Sequence, residues 1–382
     1  MLLQVDSGIM EKDKDVKILI LCSFYSTYVT QLCKYMWKFY PCVKYSLLTH
    51  ESAVAEYRKE ADELQSIYSY KTTKTRLFYH QIDNLPMHDI IHSLWMEPVW
   101  GINAHKLKKK AKYWFNSVGG SDLYRFSSHM LVRIIQKRII RYSDWISSEN
   151  IQTKNYFYKV YGESYRNIEH SICRFGVDIL DYIREAKQKN ISFSKGKIIV
   201  VCGTNATENH QHFAMIDAIS NMNQMQRNKC HFVFPMTYPG GRKAYVDEVA
   251  KRISQITNSY TILTKYMAVQ EMAELAMAAD IMIHVQTTDQ LSSVMLSHMY
   301  NGNIVIAGDW LPYGTLEKNK VFFLKVKENS ELTEKIEDVV TRIEFYKDKC
   351  LENAEIIYQL SSWEAASKEW MKVYMTLMKG EK

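Results

Sequence analysis

The sequence predicts a doubly wound α/β protein of two domains. Short, β-branched, nearly uncharged runs alternate with segments of helical spacing along the chain, the pattern of parallel strands covered by helices on both faces. The 382 residues, 47% of them hydrophobic, are more than one core readily holds. A polar stretch over 187–195 interrupts the alternation midway. Each half therefore reads as its own Rossmann-like domain, the two facing each other across a cleft.

Residues 1–16 are polar and charged and are expected to form a flexible tail without a secretory signal. The N-terminal domain, 17–190, opens on strand 17–25, and Ser26 caps a helix reaching Phe39. Strand 43–49, a helix over 51–68, and strands 76–79, 89–95 and 112–118 follow. The last of these runs into Gly119-Gly120-Ser121-Asp122-Leu123-Tyr124-Arg125. A helix over 127–141 and a short strand at 145–147 come next. The C-terminal domain, 191–360, alternates more regularly. Its strands are 197–203, 231–238, 261–264, 280–285 and 304–307, and its helices 210–223, 244–256, 269–279 and 291–300. Residues 361–382 form a final helix. Trp363 and Trp370 lie two turns apart on one face of it, which suits a helix crossing back to pack on the N-terminal domain.

Composition excludes several classes. The 26 Tyr and 8 Trp argue against disorder. Seven cysteines lie singly, with no CxxC pair, as reduced thiols do. No run reaches the ~18 apolar residues of a membrane helix. Charge is asymmetric: residues 1–194 carry 28 Lys+Arg against 20 Asp+Glu, net +8, and the remainder 21 against 22, net −1. The basic half implies an anionic partner. With no nucleic-acid motif beside the charge, nucleic acid is not expected. The helix bearing Arg133, Lys137, Arg138 and Arg141 opposes an apolar stripe of Leu131, Ile134, Ile135 and Ile139. It reads as a core-facing helix with a charged outer face, and as one able to lie on an anionic membrane.

The chemistry is expected beyond the carboxyl ends of the C-terminal strands, where helix N-termini point. Gly203, Thr204 and Asn205 open the first such loop, although no GxGxxG and no P-loop Lys-[ST] follows. His210 and His212 begin the next helix, where its dipole favours a neutral imidazole that donates to phosphate or sugar oxygens. Pro235, Met236, Tyr238 and Gly240 belong to an irregular proline–glycine loop, with Tyr238 free to stack on a base. Gln286, Thr288, Asp289, Gln290, Ser292 and Ser293 place amides, hydroxyls and a carboxylate at another helix N-terminus, chemistry suited to phosphate and sugar hydroxyls. No third ligand accompanies the histidines and no Asp-x-Asp lies in these loops to hold a divalent ion against a diphosphate, so neither a metal site nor a cofactor is expected.

Two Rossmann-like halves closed by a C-terminal helix resemble the GT-B glycosyltransferases. More narrowly, Gln211-His212-Phe213-Ala214, Phe234-Pro235-Met236-Thr237-Tyr238-Pro239 and Ala244-Tyr245-Val246-Asp247-Glu248-Val249 resemble the bacterial 4-acetamido-4,6-dideoxygalactose (Fuc4NAc) transferases. The resemblance implies transfer from a nucleotide-diphosphate sugar to a saccharide acceptor, lipid-diphosphate-linked, in surface polysaccharide synthesis. It also implies a cytoplasmic location at the inner face of the membrane. The Gly120-Ser121-Asp122 run with Arg125 is similar to a glycine-rich acceptor-side loop of related transferases. Many retaining relatives carry two Glu eight residues apart; here those positions hold Asp289 and Ser297, which favours inversion. An inverting reaction needs a general base, and Asp122 is the candidate. A non-catalytic nucleotide- or sugar-binding module and a sugar-nucleotide epimerase are the alternatives.

Overall fold

Two parallel sheets carry the chain in this computed structural model, which describes residues 15–72, 75–188, 196–238 and 242–380. The first contains β1 (Val16–Leu21), β2 (Val43–His50), β3 (Ser66–Tyr70), β4 (His88–Ser93), β5 (Ala111–Ser117), β6 (Trp145–Ser148) and β7 (Glu169–Ile172). Their order is β3-β2-β1-β4-β5-β6-β7. The second contains β8 (Ile198–Cys202), β9 (Cys230–Pro235), β10 (Tyr260–Leu263), β11 (Ile281–His284), β12 (Ile304–Gly308) and β13 (Leu324–Val326), in the order β10-β9-β8-β11-β12-β13. Each sheet reverses winding once, between β1 and β4 and between β8 and β11. At such a reversal the flanking loops diverge and leave a crevice at the carboxyl edge.

Near-continuous apolar strands bury both faces of each sheet. Leu19, Leu21, Ile91, Trp100 and Trp114 anchor the first core; Val200, Phe232, Ile281 and Ile304 anchor the second. All seven cysteines are free, and all but the half-buried Cys42 are buried.

The chain divides into one unit of residues 15–175 with 366–380 and another of residues 176–365. The sequence boundary near residue 190 therefore moves back. The helix Ile179–Gln188 buries Ile179, Leu180 and Ile183 among Ala273, Ala276 and Met299, side chains of the second sheet's helices. The final helix, Trp363–Lys379, joins the first unit from Ala366. There Trp370 packs 5.2 Å from Phe175 and 5.3 Å from His92, and its Nε1 donates to the Arg174 carbonyl at 2.8 Å. Trp363 stays with the second unit, over Gly176, where a Cβ would stand 2.4 Å from its ring.

Three local expectations are corrected. Residues 76–79, expected as a strand, lie in the helix Thr75–Asp83, where Phe78 and Ile82, one helical step of four apart, are both buried. The expected helix over 51–68 ends at Glu60, and Ser66–Tyr70 is instead the edge strand β3, in register with Ser46–His50. The helix Met130–Tyr142 turns Gln136, Ile139 and Ile140 inward, leaving Leu131 76% and Ile134 50% exposed. Its apolar stripe is therefore split between core and solvent.

Candidate active site

The loops after β8, β9 and β11 are tied into one surface at the carboxyl edge of the second sheet. Asn209 is the main tie. Its Nδ2 donates to Gln286 Oε1 at 2.7 Å and to the Thr288 carbonyl at 3.0 Å, its Oδ1 accepts the Thr288 amide at 3.1 Å, and its carbonyl accepts the Thr287 amide at 2.7 Å. Ala206 N–H donates to the Tyr238 carbonyl at 2.7 Å, joining the β9 loop. Trp310 Nε1 closes the far side on the Gln286 carbonyl at 2.7 Å.

Gly203 makes the first turn with φ +72°, a conformation L side chains disfavour. A Cβ there would stand 2.8 Å from His212 Nε2 and 3.3 Å from the His210 ring. Both rings thus lie against bare backbone. The Thr204 amide donates to His210 Nδ1 at 3.3 Å, and His210 Nε2 lies 3.3 Å from Thr204 Oγ1. His212 Nδ1 pairs with the Tyr245 hydroxyl at 3.0 Å, whereas its Nε2 is buried without a partner. Burial pushes the His212 imidazole down to about 4. Burial, then the neighbouring His284 and His212, push His210 down to about 3. Both rings are neutral at pH 7 and serve as directional hydrogen-bonding groups. Gln211 adopts φ +57°, held by Nε2 donating to the Val285 carbonyl at 2.6 Å and by Asn329 Nδ2 donating to its Oε1 at 2.7 Å.

Asp289 points inward. Its Oδ2 accepts the Ser292 amide at 2.9 Å and the Tyr313 hydroxyl, and lies 3.5 Å from His284 Nε2. Burial acts to raise this carboxyl, but the donors from His284, Tyr313 and the Gln290 amide outweigh it and hold the group below its usual range. Ser292 caps the helix Ser293–Asn301, accepting the Met295 amide at 3.3 Å.

The sequence candidates therefore separate. Gly203, Thr204, His210, His212, Gln286 and Thr288 meet around one edge. Asn205 accepts Thr207 Oγ1 at 2.7 Å within the loop. Pro235 ends β9 and Met236 is packed into the core, so neither side chain is presented; Tyr238 is 63% exposed. Gly240 lies outside the described residues. Among the described residues no three His, Cys, Asp or Glu side chains gather to hold a metal ion. Sequence reasoning missed Asn209, Tyr245, His284 and Tyr313, whose partners are distant in the chain.

A family model described as 4-alpha-L-fucosyltransferase, glycosyl transferase group 56, matches residues 46–296, about two thirds of the chain, including the loops after β8, β9 and β11. The chain belongs to this family. It is a glycosyltransferase. No curated protein matches it. Its structure is similar to that of HepE from Anabaena in complex with UDP and glucose, at 12% identity and TM-score 0.73, over 94% of this chain and 100% of that one. Sucrose-phosphate synthase from Thermosynechococcus elongatus is similar at 12% identity and TM-score 0.72, over 96% and 100%. A glycosyltransferase from Rickettsia africae aligns at 15% identity and TM-score 0.67, over 96% and 100%. These likenesses establish the GT-B fold.

In this group 56 chain the candidate base Asp122 lies in the short helix Gly120–Tyr124 and is 2% exposed. Its Oδ2 accepts the Met96 amide at 2.9 Å, and its Oδ1 has no partner. Burial pushes the carboxyl up to about 7. Gln136 Nε2 donates to the Asp122 carbonyl at 3.0 Å, and Tyr161 donates to Gln136 Oε1 at 2.8 Å. Asp122 thus fixes the loop after β4 from beneath. Gly120 and Ser121 are half-buried above it, and Arg125 is exposed, its guanidinium 5.9 Å from the Phe126 ring centre.

Proposed function

We propose that this glycosyltransferase moves a sugar from a nucleotide-diphosphate donor to a saccharide carried on a lipid diphosphate, with inversion and without a metal ion, in surface polysaccharide synthesis. The observation that carries the reading is the buried, unpartnered His212 Nε2 beside the bare backbone of Gly203, at the reversal of the second sheet. A diphosphate placed there meets backbone amides and neutral imidazoles, which stabilise a leaving nucleoside diphosphate without titrating. HepE, a similar structure, was solved with UDP and glucose.

The test is thermal stabilisation by UDP, dTDP, GDP, CDP and NAD, with and without EDTA. One nucleoside diphosphate is expected to raise Tm, by roughly 2.7 kcal/mol of binding at 100 times its Kd, and to do so equally in EDTA. Stabilisation by NAD alone, or by none of the panel, would overturn the donor assignment. Loss of the shift in EDTA would overturn metal independence.

The lipid-linked acceptor implies work at a cytoplasmic membrane face. No helix among the described residues is long and apolar enough to cross a membrane. Attachment is proposed through the exposed Phe126, Met130, Leu131 and Ile134, set beside Arg125 and Arg138. Apolar side chains enter the headgroup boundary while the guanidiniums meet anionic lipid. Binding to vesicles containing phosphatidylglycerol is expected to weaken several-fold from 50 to 300 mM salt, and again when Arg133, Lys137 and Arg138 become Gln. The double variant Leu131→Asp/Ile134→Asp is expected to lose the salt-resistant remainder. Equal binding to neutral vesicles would refute the electrostatic part.

A further inference from the structure

The first sheet reverses between β1 and β4 as the second does between β8 and β11. The loops flanking this reversal build a different chemistry. Phe24 and Tyr28, 45% and 41% exposed, lie 5.0 and 6.4 Å from Trp95, centre to centre, so one aromatic wall spans the two loops. The wall is fixed in place. Tyr57 donates to the Phe24 carbonyl at 2.8 Å and accepts the Ser26 amide at 3.0 Å. Gly119 lies so close that a Cβ would stand 2.2 Å from Trp95 Nε1. Beside the wall is Glu97. Its Oε1 accepts the Ser23 amide at 3.0 Å and Trp100 Nε1 at 3.1 Å, and its Oε2 accepts the Ser23 hydroxyl. Unlike Asp122, Glu97 is only half-buried.

We propose that this crevice is the acceptor site, with Phe24, Tyr28 and Trp95 stacking on a sugar ring and Glu97 acting as the general base. The proposal rests on the transferase reading above. A pyranose presents an apolar C–H face to the electron-rich face of an aromatic ring and leaves its hydroxyls free. The Glu97 carboxylate takes the proton of one acceptor hydroxyl as that oxygen bonds to the donor's anomeric carbon. The bond from that carbon to the diphosphate oxygen breaks, and its electron pair leaves with the nucleoside diphosphate. Ser23 is a positioning residue, since its two donors fix the carboxylate. Asp122 is another, since it holds the Met96 amide between Trp95 and Glu97.

Burial pushes the Glu97 carboxyl up to about 7, against the Ser23 and Trp100 donors. The titratable groups facing it are the Cys22 thiol, pushed up to about 12 chiefly by burial, and the Tyr70 phenol, also raised chiefly by burial; both stay neutral from pH 6 to 8. A base in this position makes kcat rise as pH climbs through about 7.

The experiment measures nucleoside diphosphate released from the nucleotide sugar whose diphosphate stabilises the protein, with a phenoxyundecyl-diphosphate disaccharide as acceptor probe. Glu97→Gln is expected to lower kcat at least 100-fold and abolish the rising pH limb, leaving the nucleotide-induced Tm shift intact. Ser23→Ala is expected to move that limb to higher pH. Phe24→Ala/Tyr28→Ala is expected to raise the acceptor KM about tenfold with kcat little changed. Glu97→Gln keeping more than a tenth of kcat, or keeping the pH limb, overturns the proposal. Failure of the nucleotide reading shows separately, as a missing Tm shift in the wild-type protein. A substrate-independent arm labels the native protein with carbodiimide and glycine ethyl ester at pH 6.5. Label at Glu97 ahead of Asp122 supports an accessible protonated carboxyl, and absence of label at Glu97 overturns it.

Discussion

Gly203→Ala is expected to lower affinity for the stabilising nucleoside diphosphate at least tenfold. Two costs fall on this position. The residue sits at φ +72°, where an L side chain costs roughly 1–2 kcal/mol. The new Cβ also meets His212 Nε2 at 2.8 Å, and that ring is pinned through Nδ1 to Tyr245 and packed 6.2 Å from Phe234. A buried ring held on two sides cannot swing away cheaply, so the backbone after β8 must move. That segment carries the Thr204 amide and, through Asn209, the loop after β11. Gly302→Ala is the matched control. Its φ is +88°, but an added Cβ meets nothing within 4 Å. Gly302→Ala is expected to lose about 1–2 kcal/mol of stability and Gly203→Ala more, since the clash adds to the same backbone cost, whereas only Gly203→Ala loses nucleotide by isothermal titration. Equal affinities in the two would place the nucleotide elsewhere. Adding His212→Ala to Gly203→Ala is expected to recover stability more than affinity, because the clash is relieved while the imidazole is lost.

The same residues show what sequence can carry. Strand runs such as Ile198–Cys202 and Ile281–His284 were legible because a strand buried on both faces must be apolar throughout, whatever its neighbours. Ser26 was legible because capping is local: its hydroxyl accepts the Tyr28 amide two residues on. Strand β3 was not, since Ser-Ile-Tyr-Ser-Tyr becomes a strand only through its pairing with β2. At the site, Gly203, His210 and His212 were found because glycine turns and helix starts leave local marks. Asn209, His284 and Tyr313 were missed because their roles arise from partners 77, 29 and 24 residues away. Glu97 carries no local mark at all, and its partner Ser23 lies 74 residues earlier.

Asp289 shows how a donor-site candidate can instead hold the loop that makes the site, and Asp289→Ala is expected to cost about 3 kcal/mol. Removing the carboxylate leaves the buried Tyr313 hydroxyl without its acceptor and frees the Ser292 amide, while His284 Nε2 keeps the Tyr313 hydroxyl at 2.8 Å, at roughly 1–3 kcal/mol for each buried group left unsatisfied. Asp289→Asn keeps the shape but loses the charge, and its amide nitrogen faces donors, so an intermediate loss is expected. The pH dependence follows from sign. The folded-state carboxyl lies below its usual value, so its contribution is complete above the unfolded range near 3.9 and is lost as pH falls through the lower folded value. The stability gap between wild type and Asp289→Asn, measured by urea unfolding, should therefore be constant from pH 7 to about 5 and narrow below about 4. Affinity separates the two roles. A brace loosens the loop over 285–292, so nucleotide affinity should fall in step with stability across Asn and Ala. A direct ligand would lose affinity in Asp289→Asn while stability held, and that pattern would return Asp289 to the donor contacts. The packing favours the brace, because Oδ2 already receives the Ser292 amide and the Tyr313 hydroxyl within the fold.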